Sequence, residues 1–422
     1  MKLTDLSADE LNTRQSELLS AYTQFKEARL SLDLTRGKPC AEQLDLSNDL
    51  DGILEGFFLL QNGTDVRNYG GILGVPEARQ MGADILGLQP AQVMVGGNSS
   101  LTLMYNMIAH MAPQWDAEAR EINSKVKFLC PVPGYDRHFT ICESFDIEMI
   151  NVDLLSTGPD MTVIENLLAQ DPMIKGIWCV PKYSNPTGHT YDEETVKRFA
   201  QLGKIAGRNF RIMWDNAYVA HHLTDNPARL HDLMDESMQA GTEDNLVMLA
   251  STSKITFAGA GISFLGTSEK TLAAFEKFLT PQVIGFDKVN QLRHVRFLQD
   301  GGNLAEHMNK HRTLLGPKFE MVQNKLQEAL GDKGIAEWTR PEGGYFISLD
   351  TLPGIASKVI KFASDAGVKL TPAGATYPYG MDPENRNIRI APTFPSLTDL
   401  EKALNVLVVC LELASADHLL SQ

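Results

Sequence analysis

Short, nearly continuous apolar runs alternate along the middle of the chain with segments of helical spacing. Residues 125–130, 175–180, 210–214, 245–250 and 261–266 are such runs, and each reads as a buried strand. Between the second and third lies 192–208, where Val196, Phe199, Leu202, Ile205 and Ala206 recur on one helix face. Strands separated by helices predict an α/β fold, with a mostly parallel central sheet and helices on both faces. The ends are patterned differently. From about residue 310 to 422, long helical stretches mix with short strands at 344–349 and 387–391. Ser7-Ala8-Asp9-Glu10 is a capping box that starts an N-terminal helix. We expect residues 1–48 and 306–422 to form a smaller α+β domain and 49–305 a larger one, with a helix-rich joining stretch at 281–302.

The polar residues that follow the apolar runs change the picture. Three successive strands lead into Ser184-Asn185-Pro186-Thr187-Gly188, into Asp215-Asn216-Ala217-Tyr218 and into Ser251-Thr252-Ser253-Lys254. In parallel sheets, ligands bind beyond the carboxyl ends of the strands. An amine, a carboxylate and two hydrogen-bonding groups gathered there suit an aldehyde cofactor such as pyridoxal 5'-phosphate. Lys254 would form an imine, Asp215 would pair with a protonated ring nitrogen, and Asn185 and Tyr218 would donate to a phenolate oxygen. Each residue also has a plainer reading. Lys254 alone is a surface lysine, Asp215 a helix cap, Asn185 part of a rigid turn, and Tyr218 a core aromatic.

Further segments fit the same chemistry. Gly97, Asn98, Ser99 and Ser100 open an apolar helix, where N–H groups and hydroxyls meet an anion such as a phosphate; they also make an ordinary N-cap. Ser251 and Ser253 add hydroxyls, and Gly259-Ala260-Gly261 allows close passage of the backbone. Tyr135, after Pro131-Val132-Pro133-Gly134, either lies against a cofactor ring, gaining about 0.5–1.5 kcal/mol beyond burial, or packs on the surface. Arg389, in Asn387-Ile388-Arg389-Ile390, either grips a substrate carboxylate by two parallel bonds or is an ion-paired edge-strand arginine. The histidines show no metal spacing, and His221, His222 and His294 read as solvated or core residues.

Composition narrows the function classes. Of 422 residues, 43% are hydrophobic and 22% charged, as in a globular enzyme. A formal net charge of -15 argues against a general nucleic-acid or anionic-membrane partner. The first residues lead straight into the capping box rather than into a signal peptide, and no apolar stretch reads as long enough to cross a bilayer. The five cysteines (Cys40, Cys130, Cys142, Cys179, Cys410) are scattered and never form a CxxC pair, which points to thiols in a reducing cytoplasm.

Taken together, these segments resemble the fold-type-I pyridoxal-phosphate-dependent aminotransferases. The likeness runs from Arg67-Asn68-Tyr69-Gly70 through 97–100, Tyr135, Asn185-Pro186-Thr187-Gly188, Asp215 with Tyr218, and Ser251 with Lys254, to Arg389. Leu34-Thr35-Arg36-Gly37-Lys38-Pro39, Ser253-Lys254-Ile255-Thr256 and Asp287-Lys288-Val289-Asn290-Gln291-Leu292-Arg293-His294 look like a divergent bacterial subgroup of aspartate aminotransferases. The resemblance implies transfer of an amino group from aspartate to 2-oxoglutarate by a ping-pong mechanism, in a homodimer whose active sites are shared across the interface. Tyr69 would then reach the neighbouring subunit's phosphate. Asn185, Arg36, Gly37 and Lys38 join Arg389 as expected substrate contacts, and Arg36, Lys38, Lys288 and Arg293 are the candidates for a side-chain carboxylate. One departure stands out: the family's arginine eight residues after the lysine is here Ile262, followed by Ser263. Rival readings keep the cofactor but make the protein a β-lyase or decarboxylase, or a ligand-sensing domain of a transcription regulator. Regulators of that kind carry a DNA-binding domain first, and only about 30 residues precede Leu32 here.

Overall fold

The computed structural model describes residues 2–300 and 303–422, so the last two residues of the joining stretch lie outside it. The described strands are, in chain order, β1 (Leu32–Asp33), β2 (Val93–Gly96), β3 (Lys127–Val132), β4 (Glu148–Leu155), β5 (Gly158–Pro159), β6 (Ile174–Cys179), β7 (Arg211–Asp215), β8 (Leu246–Ser251), β9 (Ser263–Thr267), β10 (Ala336–Trp338), β11 (Ile347–Thr351), β12 (Val368–Lys369) and β13 (Asn387–Ile390). Eight form the central sheet, in the order β2-β9-β8-β7-β6-β3-β4-β5. From β8 to β4 every neighbouring pair is parallel. The exceptions are β9, antiparallel to both β8 and β2, and the short β5, antiparallel to β4.

The continuous apolar runs are explained by burial on both faces. Along β8, Leu246, Met248 and Ala250 join the core on one side, while Val247 and Leu249 join the core on the other. A strand with no wet face has no reason to alternate. All five expected strands are present, displaced by a residue or two, and the expected helix is Glu193–Ile205. Three strands of the sheet were not expected. Of these, β4 lies near the edge and alternates buried and exposed positions, so its apolar signal is diluted.

A second core belongs to the chain ends. Leu11, Leu18 and Tyr22 of helix Ala8–Glu27 pack with Leu404, Leu407 and Leu411 of helix Leu397–Leu420. Ser7 and Glu10 close the capping box as expected. β1 pairs in parallel with β12, and Glu412, buried in the last helix, is ion-paired to Arg14 and Lys333. β10, β11 and β13 form an antiparallel sheet with β11 in the middle. The expected division at 305/306 falls at the start of helix Leu304–Leu330.

One expectation is corrected. Helix Leu397–Leu420 is long and apolar enough to cross a membrane by length and composition, with a mean hydropathy of 1.6 in its most apolar window. The reason is packing: 67% of that window is buried inside the protein, and a helix covered nearly all round has little need of a polar face.

Candidate active site

The carboxyl ends of β6, β7 and β8 open on two adjoining cavities. The smaller, about 200 Å³, is lined by Ser99, Ser100, Tyr135, Asn185, Asp215, Tyr218, Ser251, Ser253 and Lys254, with Leu101, Met104, Val180 and Ala217. The larger, about 600 Å³, is lined by Arg36, Gly37, Lys38, Tyr135, Asn185, Tyr218, Lys254 and Arg389, together with Thr35, Asp136, Arg137, Phe346, Thr371, Pro372 and Ala375. Lys254, Tyr218, Asn185 and Tyr135 belong to both, so the amine stands where the two spaces meet.

Burial lowers the pKa of the Lys254 amine, partly opposed by the charge of Asp215. Among the described residues its Nζ has no hydrogen-bond or ion-pair partner. It lies 5.0 Å from the centre of the Tyr218 ring. Asp215 ends β7 and is 2% exposed. It caps no helix; its Oδ2 is 3.2 Å from His138 Nε2, and its buried Oδ1 has no partner among the described residues. His138 in turn stacks on Trp178, with ring centroids 4.4 Å apart and planes 10° from parallel. Burial raises the phenol pKa values of Tyr218 and Tyr135, so both stay protonated and able to donate.

Several of the paired readings turn out to be compatible. Asn185 sits in a rigid turn: Gly188, at φ +73°, leaves no room for a Cβ, which would stand 2.3 Å from Pro341. That turn aims Asn185 Oδ1 at Arg389 Nη1, 3.3 Å away. Arg389 lies on an edge strand and is ion-paired, as the plainer reading had it, with Nη1 3.2 Å from Asp136 Oδ1. It also faces the larger cavity, with its guanidinium 4.9 Å from the centre of the Phe346 ring and its buried Nε unpaired. Phe346 also explains Gly37, where a Cβ would meet the ring at 2.4 Å. Tyr218 is both a core residue, packed against Tyr345 and Phe346, and a cavity wall.

At the serine-rich end, Ser99 is the N-cap of helix Ser100–Glu121, but its side chain makes no capping bond. Ser253 Oγ donates to the Asn98 carbonyl at 3.0 Å, and Asn98 Nδ2 donates to the Gly259 carbonyl at 3.2 Å. Gly97 accepts from Ser263 Oγ at 2.8 Å. Gly97 and Asn98 therefore tie the loops together behind Ser99 and Ser100 and do not line either cavity. Ile262 is packed in the core, and Thr252 Oγ1 accepts from its N–H at 2.9 Å. Among the described residues, no basic residue apart from Lys254 lines the smaller cavity.

Besides Gly97 and Asn98, three candidates line neither cavity in this chain. Tyr69 is 82% exposed on an outer loop, and Lys288 and Arg293 belong to helix Lys288–Val295. Sequence reasoning missed His138, Asp136 and Arg137. A signal was present: all three open helix Asp136–Ser144 directly after Tyr135, at a strand exit already singled out.

The family model described as aspartate amino-transferase matches residues 6–422. An aspartate aminotransferase of Corynebacterium glutamicum is 42% identical over 422 residues, covering 99% of this chain and 97% of its own. The crystal structure of an aspartate transaminase from Corynebacterium glutamicum matches with a TM-score of 0.95 at 42% identity, over 99% of each chain. An α-aminoadipate aminotransferase of Thermus thermophilus, crystallised with N-(5'-phosphopyridoxyl)-L-leucine, shares the fold at 18% identity, with a TM-score of 0.73 over 99% of this chain and 96% of its own. With strand exits that converge on a lysine and with relatives this similar over the whole length, the chain belongs to the aspartate amino-transferase family and is an aminotransferase with the fold-type-I architecture.

Proposed function

We propose that this aminotransferase carries pyridoxal 5'-phosphate on Lys254 and moves the amino group of aspartate to 2-oxoglutarate by a ping-pong cycle. Asp215 carries the assignment. One of its carboxylate oxygens is engaged by His138, and the other is buried and unpaired in the wall of the cavity that holds Lys254. An unpaired buried charge is costly, and a protonated ring nitrogen is a partner of the right sign. Asn185 and Tyr218 suit the ring oxygen, Tyr135 the ring face, and Ser99, Ser100 and Ser251 the phosphate. Gly97, Asn98 and Ser253 support that end through the bonds that tie its loops. Hydroxyls and backbone N–H groups at a helix start would take over from the arginine that Ile262 replaces.

When bound, the cofactor supplies an aldehyde for amines and a ring that accepts the electron pair left by a departing α-proton. The chain's own groups do the rest. Arg389 holds the substrate α-carboxylate, oriented by Asp136 and Asn185. Lys254 Nζ, freed when the substrate's amino group takes its place, takes the proton from the amino acid Cα and gives it up again within the site, as base and then acid. Its lowered pKa favours the neutral amine that a base requires. Arg36, Lys38 and Arg137 give the larger cavity a cationic mouth suited to the second carboxylate of aspartate or 2-oxoglutarate. Tyr69 would reach across a homodimer interface to the other subunit's phosphate, consistent with its exposure. The division into domains at 48/49 and 305/306 and a cytoplasmic location, in keeping with five free and buried cysteines, belong to the same proposal.

The test is to add a panel of amino acids to the loaded enzyme and follow both its visible absorbance and the 2-oxo acids released. Aspartate should bleach the visible band fastest and yield oxaloacetate, and 2-oxoglutarate should restore the band. Pyruvate and ammonia released from a cysteine-like substrate, without amino transfer, would overturn the proposal in favour of a β-lyase.

A further inference from the structure

A buried polar cluster stands behind Lys254, outside both cavities. The Lys254 carbonyl lies 3.3 Å from Tyr345 Oη and 3.3 Å from His221 Nε2. The next carbonyl, of Ile255, lies 2.7 Å from His307 Nε2 and 2.9 Å from His311 Nε2. The two histidines are one turn apart on helix Leu304–Leu330. Gln43, from the N-terminal segment, closes the cluster: its Nε2 is 3.0 Å from His311 Nδ1 and 2.9 Å from Tyr345 Oη, and its Oε1 accepts from the Cys40 N–H at 3.2 Å. Gln43 and Tyr345 are fully buried and His311 is 1% exposed.

One arrangement of protons serves both carbonyls; in it the His307 and His311 Nε2 atoms, 3.1 Å apart, share the Ile255 carbonyl, and the buried His221 Nδ1 has no partner among the described residues. A carbonyl only accepts, so in this arrangement His221, His307 and His311 each carry a proton on Nε2, and the Ile255 carbonyl takes one on each lone pair. Neutral His311 then offers a lone pair at Nδ1, which takes one N–H of the Gln43 amide. The other N–H goes to the Tyr345 oxygen, which frees the phenol proton for the Lys254 carbonyl. A second proton on His311 would face the Gln43 amide donor. Burial keeps the histidines neutral, pushing His311 down to about 4 and His221 to about 3. Gln43 therefore donates to His311 and Tyr345, and these two, with His221 and His307, donate to two successive carbonyls of the segment that carries the amine.

We propose that Gln43, His307, His311 and Tyr345, with His221, are positioning residues: a frame of ordered hydrogen bonds that fixes the Lys254–Ile255 backbone and so sets the approach of Nζ to the cavity. The proposal rests on Lys254 being the reacting amine. It gives the N-terminal segment and helix Leu304–Leu330 a part in the chemistry although neither Gln43 nor the two helix histidines line either cavity of the site. Without the frame, the long lysine side chain would swing from a base that can itself move.

The test uses full-length Tyr345→Phe, His311→Leu and His311→Gln. Two measurements are made: the pH dependence of covalent labelling of Lys254 in cofactor-free protein, read by mass spectrometry, and kcat and KM of the loaded enzyme. Tyr345→Phe removes one hydroxyl and keeps the shape of the core. In it and in His311→Leu, the apparent pKa of Lys254 labelling should rise toward that of a free lysine. In the same two variants kcat should fall about tenfold or more, since a displacement on the order of 1 Å costs up to ~100-fold. KM for aspartate should change little, because Arg389 is untouched. His311→Gln keeps a donor for the Ile255 carbonyl and should recover most of both losses. Folded variants in which the labelling curve and kcat stay within about twofold of the parent would overturn the frame, as would a His311→Gln enzyme no better than His311→Leu. A Lys254→Ala enzyme that still turns over would sink the catalytic assignment instead, while the labelling shift is read without turnover.

Discussion

The floor and the mouth of the cleft are built on opposite principles. At the floor, Asp215 is almost wholly buried and held by His138, and burial keeps the phenols of Tyr135 and Tyr218 protonated. At the mouth, Arg36, Lys38 and Arg137 are exposed, and Asp136 is the only acidic residue among the lining. In a chain of net charge -15 this is a local reversal of sign. Charges at the floor act over short distances with little water between them, so each contact counts for much. Charges at the mouth are screened, and each counts for little, but together they draw a doubly anionic substrate toward the site. Chemistry should therefore fail at the floor and selectivity at the mouth.

The largest effect is expected where the two spaces meet. Lys254→Ala should abolish both turnover and the visible absorbance of protein purified with cofactor, and borohydride should leave no adduct at residue 254. Retention of colour and activity together would remove Lys254 from the mechanism. Next comes the floor. Asp215→Asn keeps the shape but cannot hold a ring proton, and kcat should fall on the order of 10²–10³-fold, as when a preorganised electrostatic partner is lost. His138→Phe should cost less, because it orients the carboxylate without replacing it. An Asp215→Asn enzyme within about tenfold of the parent would mean that the floor supplies shape rather than charge.

Arg389 lies between floor and mouth, and its substitution sharpens the contrast. Arg389→Lys keeps the charge and loses the planar fork. Hydrogen bonds to charged groups are worth about 1.5–3 kcal/mol, so kcat/KM should fall about 10- to 100-fold. The loss should be the same for aspartate and for alanine, because both carry the α-carboxylate. A loss confined to aspartate would reassign Arg389 to the side-chain carboxylate.

The floor was more legible in the sequence than the mouth, for a physical reason. Strands buried on both faces must be continuous apolar runs, so their ends are easy to find, and in a parallel sheet those ends converge. Asn185, Asp215, Tyr218 and Lys254 were found that way. His138 was not, because its bond to Asp215 joins residues 77 apart in sequence and depends on β3 lying next to β6 rather than at the sheet's edge. The Ile262 departure was visible but unexplained. The structure shows its side chain in the core and its backbone bonded to Thr252, so an arginine there would have to leave the core to reach a phosphate. Gln43 and Tyr345 gave no signal, since a frame spanning 302 residues of separation leaves no local pattern.

The smallest effects belong to the mouth, and they distinguish its members. Arg36→Gln and Arg137→Gln should each lower kcat/KM for aspartate about two- to fivefold, the range of an exposed ion pair worth roughly 0.2–1 kcal/mol. Alanine, with no second carboxylate, should be unaffected. Raising the salt concentration should narrow the parent enzyme's preference for aspartate over alanine, since exposed charges are screened within about 10 Å at 0.1 M. In the double variant the preference should become nearly insensitive to salt. Lys38 should matter less, because its amine already rests 3.8 Å from the centre of the Phe394 ring. If both arginine variants keep the full preference while Lys288→Gln or Arg293→Gln loses it, the second carboxylate is read by helix Lys288–Val295. That helix does not line the cavity of its own chain, so such a result would place the reader on the second subunit of a dimer.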